Sequence, residues 1–138
     1  MSKVLGIDFG TVRVGLAITD SARIIASPLE TIPNKGALLY IKQLIEKEKI
    51  EDIVVGEAKY LNGESSEITA LQSDFVQKLS AQNERVRIHR VNEMYTSKMA
   101  SQALIASGAK QSARRDKGNL DMISAAILLQ SWLDYHRP

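Results

Sequence analysis

Cysteine is absent from the 138 residues. That excludes disulfides, thiolate zinc sites and cysteine nucleophiles, and it suits a reducing compartment. Histidine is almost absent: His89 and His136 are the two, and neither stands at metal-ligand spacing to a partner. No apolar run approaches the roughly 20 residues that a membrane span requires. The opening Val4-Leu5-Gly6-Ile7 is cut by Asp8 before the apolar stretch of a signal peptide could form. A cytoplasmic protein with no membrane association is therefore expected. Strong net charge is also lacking. The formal balance is +2 with a sequence pI near 8.9, so any attraction to a polyanion has to come from local clustering. Internal repeats and low-complexity segments are missing too.

What is present is the composition of an ordinary globular protein, 44% hydrophobic and 25% charged. The length is enough to bury one real core and too short for two ordinary domains, so one domain over residues 1–138 is expected.

Val4 to Ile7 reads as a short buried strand. Arg13 to Ile18 alternates Val14, Leu16 and Ile18 against Arg13, Gly15 and Ala17 at period two, and Phe9-Gly10-Thr11 between the two runs suggests a hairpin. A third strand is expected from Ile24 to Ala26 and on towards Thr31, closed by the turn chemistry of Pro33-Asn34-Lys35-Gly36. Leu38, Ile41, Leu44 and Ile45 then fall on one helical face, with Lys42, Glu46, Lys47, Glu48 and Lys49 forming a solvated one.

Ile53-Val54-Val55-Gly56 reads as a buried parallel-type strand. A polar loop through Asn62-Gly63 leads to a helix carrying Ile68, Leu71, Phe75 and Leu79, with Ser65 or Ser66 as its N-cap. Val86, Ile88 and Val91 suggest a fifth strand. A helix from about Thr96 to Ser107 should stop at Gly108. A polar, basic stretch from Ala109 to Asn119 precedes an apolar helix with Leu120, Ile123, Ile127, Leu128 and Trp132. A hairpin meander followed by strand and helix alternation predicts an α/β fold with a mixed five-stranded sheet flanked by helices. This is the element order of the ribonuclease-H-like fold.

Asp8 ends an apolar strand and is followed at once by Gly10, which lets the backbone turn sharply or approach a ligand closely. On spacing alone, Asp8 either caps the turn by accepting from the Gly10 or Thr11 amide, or belongs to a site. Glu93 lies just beyond the fifth strand, and Asp121 falls in the expected first turn of the final helix, both at element ends where sites assemble. Three carboxylates at one sheet edge would repel one another unless a divalent cation offset their charge. All-oxygen ligands favour Mg²⁺ or Mn²⁺ over zinc. Such chemistry suits phosphodiester hydrolysis. Lys110, Arg114, Arg115 and Lys117 cluster just before Asp121 and favour a polyanion partner. No aromatic residue interleaves with these cations, so base stacking is not indicated there.

Gly6-Ile7-Asp8-Phe9-Gly10-Thr11 followed by Arg13-Val14-Gly15-Leu16-Ala17 resembles the opening of the YqgF family of Holliday-junction-resolvase-like proteins, whose members are regarded as pre-16S ribosomal RNA nucleases. The likeness extends in order through Val54-Val55-Gly56, Asn62-Gly63, Asn92-Glu93 and Lys117-Gly118-Asn119-Leu120-Asp121. It implies a ribonuclease-H-like fold and a Mg²⁺- or Mn²⁺-dependent nuclease. Asp8, Glu93 and Asp121 are then the catalytic, metal-binding positions, with Gly10, Thr11, Arg13, Arg114, Arg115 and Lys117 on the substrate side.

Two departures stand out. The family usually carries Asp-Glu-Arg after its fifth strand, where this chain has Asn92-Glu93-Met94, and Gly-Leu-Pro after its fourth, where it has Gly56-Glu57-Ala58. Glu57 is thus a rival to Glu93 for the third acidic position.

The expected substrate is pre-ribosomal RNA, with branched DNA as the alternative, and the expected state is a monomer or weak homodimer. A catalytically weak nucleic-acid-binding module is a second reading, supported by Asn92 and Met94. Asp-x-Gly-Thr also resembles the phosphate loop of actin-like ATPases, but those pair two such domains and no second Asp-x-Gly-Thr follows here.

Overall fold

The computed structural model describes residues 2–57, 67–92 and 117–136. Their element order is β1 (Lys3–Phe9), β2 (Arg13–Thr19), β3 (Ala26–Pro33), α1 (Ala37–Glu48), β4 (Ile50–Glu57), α2 (Glu67–Gln82), β5 (Arg87–Asn92) and α3 (Lys117–Tyr135). The strands form one five-stranded sheet in the order β3-β2-β1-β4-β5. The first three are antiparallel neighbours, and β4 and β5 run parallel to β1. The mixed sheet expected from the sequence is therefore present.

Side-chain size sorts the two faces. Leu5, Ile7, Phe9, Val14, Leu16, Ile53 and Val55 point to one side, where they pack with Ile41 and Leu44 of α1 and Phe75 and Leu79 of α2. The opposite face is lined by Val4, Ala17 and Val54 and covered by Ala125, Ala126, Leu128 and Leu129 of α3. Alternation at period two produces both faces from the same strands. Small residues on the second face let α3 settle close to the sheet: a Cβ built on Gly6 would lie 2.9 Å from the Leu129 Cβ. Gln130 further ties α3 to the meander by accepting from the Ala26 amide at 2.8 Å and donating to the Ile24 carbonyl at 3.2 Å.

Several boundaries differ from expectation for local reasons. β3 begins at Ala26, because the Asp20 carboxylate accepts the Ile24 and Ile25 amides at 2.8 and 3.1 Å and leaves both side chains exposed. β4 begins three residues earlier than its apolar run, with the charged Glu51 and Asp52 inside it. On α2, Phe75 and Leu79 are buried as expected, but Leu71 is 51% exposed and its neighbour Gln72 is buried instead. The Gln72 amide donates to the Gly56 carbonyl, so a polar bond rather than an apolar contact anchors that turn. The expected N-cap at Ser65 or Ser66 and the expected helix from Thr96 to Ser107 fall outside the described residues.

Candidate active site

β1, β4 and β5 are parallel, so their C-terminal ends share one sheet edge, with β2 starting and α3 entering beside them. In α/β sheets this is the edge where ligands bind. Asp8 lies there on β1. Its neighbours in the pleat, Ile7 and Phe9, belong to the α1 and α2 face, which places Asp8 on the α3 face, half-buried. The β1-β2 turn is closed tightly, since a side chain at Gly10 would collide with the Arg13 carbonyl oxygen. Asn34 braces that turn, its amide donating to the Gly10 carbonyl at 2.7 Å and its backbone N–H to Val12 at 2.9 Å. Thr11 is exposed at the tip.

Gly15 connects Asp8 and Asp121, the two of the three expected site carboxylates that lie among the described residues. It is the direct cross-strand partner of Asp8. Over it sits the second turn of α3, so close that a Cβ at Gly15 would collide with the Asp121 carbonyl group and lie 2.9 Å from the Met122 nitrogen. Asp8 and Asp121 therefore lie on either side of a single glycine, one on the sheet and the other on the helix above it. Arg13, two residues before Gly15 and on the same face, donates from Nε to Asp121 Oδ2 at 2.7 Å. Arg13 is 39% exposed and Asp121 25%, so the ion pair is only partly withdrawn from water.

Residues 2–135 match the family described as RuvX: Holliday junction resolvase. The chain belongs to that family. Among its relatives, a Flavobacterium psychrophilum protein named "Putative pre-16S rRNA nuclease" is 43% identical over 133 residues, covering 96% of this chain and 97% of that one. A protein of the same name from Flavobacterium johnsoniae is 41% identical over 137 residues, covering 99% of both. The solved structure of Thermus thermophilus RuvC in complex with a Holliday junction substrate is similar with a TM-score of 0.61 at 16% identity, covering 98% of this chain and 95% of that one. At that identity the likeness establishes the fold, which is ribonuclease-H-like.

Within this RuvX chain, Asp8, Gly10, Thr11, Arg13 and Asp121 all gather at the one sheet edge. Two expectations are corrected. Asp121 stands in the second turn of α3, not the first, because the helix already begins at Lys117. Lys117 thus opens a helix rather than belonging to a loop; Lys117-Gly118-Asn119 carries no apolar residue, so its helical state left no periodic signal. Glu57 is the last residue of β4, two positions past Val55, which pairs with Ile7. Glu93, Arg114 and Arg115 lie outside the described residues, as does Met94, and Asn92 ends β5. Among the described residues no group of three metal-capable side chains occurs. The described donors at the site, the carboxylates of Asp8 and Asp121, are oxygen-only, a chemistry that suits Mg²⁺ or Mn²⁺ better than zinc.

A second polar cluster, at the opposite edge of the sheet, was not anticipated. Asp52 is 4% exposed and receives Arg23 Nη2 at 2.8 Å, Arg87 Nε at 2.8 Å and Nη2 at 3.0 Å, and lies 2.9 Å from His89 Nε2. The Arg87 guanidinium, with His89 and Arg23, holds its carboxyl far below the usual carboxylate range despite burial, which acts the other way. His89 stacks at a tilt on Trp132 of α3, with ring centroids 4.9 Å apart. The sequence did hold a signal: Asp52 interrupts an apolar strand, and Arg87 and His89 are two apart on the next. We read this cluster as a clamp joining the β2-β3 turn, β4 and β5, because Arg23, Arg87 and His89 all reach one buried carboxylate.

Proposed function

We propose that this RuvX protein is a divalent-metal-dependent nuclease that hydrolyses phosphodiester bonds in structured nucleic acid, with pre-16S ribosomal RNA as substrate. The observation that carries the reading is the convergence of Asp8 and Asp121 across Gly15 at the C-terminal edge of the parallel strands. Full-length similarity to relatives named as pre-16S rRNA nucleases supports the substrate.

In this reading Asp8 and Asp121, with Glu93 as the third carboxylate, hold Mg²⁺ or Mn²⁺. When bound there, the ion makes a water more acidic and stabilises charge on the leaving oxygen. The half-buried setting of Asp8 keeps bulk water from screening that interaction. Thr11 at the exposed hairpin tip and the backbone at Gly10 bring the turn against the sugar-phosphate chain. Arg114, Arg115 and Lys117, just before Asp121 in the sequence, add cations whose phosphate contacts position a strand without reading its sequence. The protein is read as a single cytoplasmic domain, and no helix among the described residues is long and apolar enough to cross a membrane.

Branched DNA is the second reading, favoured by the description of the family itself as Holliday junction resolvases. The two differ in symmetry. A four-way junction presents two equivalent cuts and calls for two sites held together, whereas trimming one RNA end needs one. The test is parallel cleavage of labelled precursor RNA and a labelled four-way junction, each with Mn²⁺, with Mg²⁺ and with chelator. The proposal expects metal-dependent cutting of the RNA. Selective cutting of the junction by a dimer would replace the substrate, and equal cutting with chelator would end the metal-dependent reading.

A further inference from the structure

Across the β1-β2 hairpin from Asp8 lies an open cleft of about 250 Å³, between the hairpin, the start of α1 and the first half of α2. Successive residues of one strand serve the two places. Asp8 is on the α3 face, and Phe9 belongs to the α1 and α2 face and lines the cleft. Phe75, whose ring centroid is 5.0 Å from that of Phe9, lines it too, with Leu38 and Leu71. Leu71 is the residue out of keeping with its helix, half exposed at a position of core spacing because Gln72 takes the buried place through its bond to Gly56. Polar groups stand among the apolar ones. Asn34 donates its amide nitrogen to the Gly10 carbonyl, which can only accept, so its amide oxygen remains an acceptor and has no hydrogen bond among the described residues. Thr11 adds a hydroxyl, and Asp74 a carboxylate that meets Lys78 at 3.0 Å with both side chains more than half exposed. An apolar lining with a few hydrogen-bonding groups is that of a small-ligand site, and the volume lies below the roughly 300–1,000 Å³ of drug-sized sites, which suits a single heterocycle.

We propose that this cleft receives one unpaired base of the nucleic-acid substrate, beside the phosphate that is cut. The proposal rests on the nuclease reading above and deepens it, because it requires an unstacked nucleotide next to the cleavage point. Continuity with the candidate active site selects this occupant. The tip at Gly10 and Thr11 separates the two places and borders both, so a strand crossing it can present a phosphate to the α3 face and a base to the α1 and α2 face. A base inside a duplex is stacked and turned to its partner strand; only an unpaired one is free to enter a pocket and use its edge for hydrogen bonds. Phe9, Phe75, Leu38 and Leu71 then give the ring apolar contact, and Thr11, Asn34 and Asp74 take its polar edge.

The test is equilibrium binding of the full chain to short unstructured RNAs, read by fluorescence anisotropy with chelator present so that no cutting intervenes. One RNA carries its bases and the other, of equal length, is abasic with the same sugar-phosphate chain. The natural protein should bind the base-bearing RNA about 5- to 10-fold more tightly, the scale of one base held against apolar side chains. Leu71→Ala should bring that ratio close to one, whereas Leu39→Ala, at a leucine of α1 that is likewise exposed but outside the cleft, should leave it unchanged. Alanine keeps both helices intact. Asp74→Ala, a second variant that leaves the apolar packing alone, should also lower the ratio. Equal affinity of the natural protein for the two RNAs, or a ratio that survives both Leu71→Ala and Asp74→Ala, would overturn the proposal. So would loss of the preference to free adenosine or cytidine monophosphate at concentrations no higher than those of the RNA, which would make the cleft a mononucleotide site. Mn²⁺-dependent cleavage of precursor RNA by the same preparations separates the two readings. Cleavage without base preference refutes the cleft alone, and base preference without cleavage refutes the nuclease alone.

Discussion

Gly15 decides where Asp121 sits. With no side chain, it lets the α3 backbone rest directly on β2, and any Cβ there meets backbone that cannot rotate away. Gly15→Ala should therefore lift the start of α3, destabilising the protein by about 1–3 kcal/mol as overpacking does and weakening Mn²⁺ binding by drawing Asp121 away from Asp8. Thermal melting and a metal titration of the same variant check both effects. Ala17→Gly, on the same face but beneath the middle of α3, should cost stability without that loss of metal affinity. Asp8 was legible because a carboxylate closing an apolar strand has few uses in a core. The Arg13 pair with Asp121 was not legible: 108 positions separate the two residues, and Arg13 read alone looks only like a phosphate contact.

At the scale of elements, β4 carries the larger surprise. Its apolar run announced a buried strand, yet Asp52 near its start holds together the turn before β3 and the strand beyond it. Removing such a buried charge leaves Arg23 and Arg87 without their counter-ion and puts an amide donor against them, so Asp52→Asn should lower stability by about 2–4 kcal/mol. The pH dependence has a defined sign. A carboxyl whose folded value is depressed contributes its full stabilisation above the unfolded value of about 4, and loses it as pH falls towards the folded value. Denaturant titrations should therefore show this contribution as constant from neutrality to about pH 4 and declining below, and the decline should be shallower in Asp52→Asn. The start of α3 escaped the sequence because periodicity reports apolar spacing and Lys117-Gly118-Asn119 has none, and the exposure of Leu71 escaped it because Gln72 takes the buried place through its bond to Gly56.

For the molecule as a whole, the mixed sheet and its order of elements could be read in advance, since they follow from alternation in β1 and β2, the continuous apolar run of β4 and the helical spacing of α1. The unequal faces follow from the same alternation, with Leu, Ile and Phe on the α1 and α2 side and Gly and Ala under α3. Leu129 fills that closer layer and is fully buried. Leu129→Ala should cost about 2–5 kcal/mol, visible as a lower denaturation midpoint, with α3 and hence Asp121 losing their fixed position before the sheet does.

The measurement that bears most directly on the central claim is Mn²⁺-dependent cleavage of labelled precursor ribosomal RNA by the natural protein, Asp8→Asn and Asp121→Asn, each shown to be folded and to bind the RNA. Replacing even an outer partner of a metal site costs about 10–100-fold, so each substitution should reduce cleavage by at least about 100-fold while RNA binding persists. Cleavage that survives either substitution at its natural rate would contradict the account.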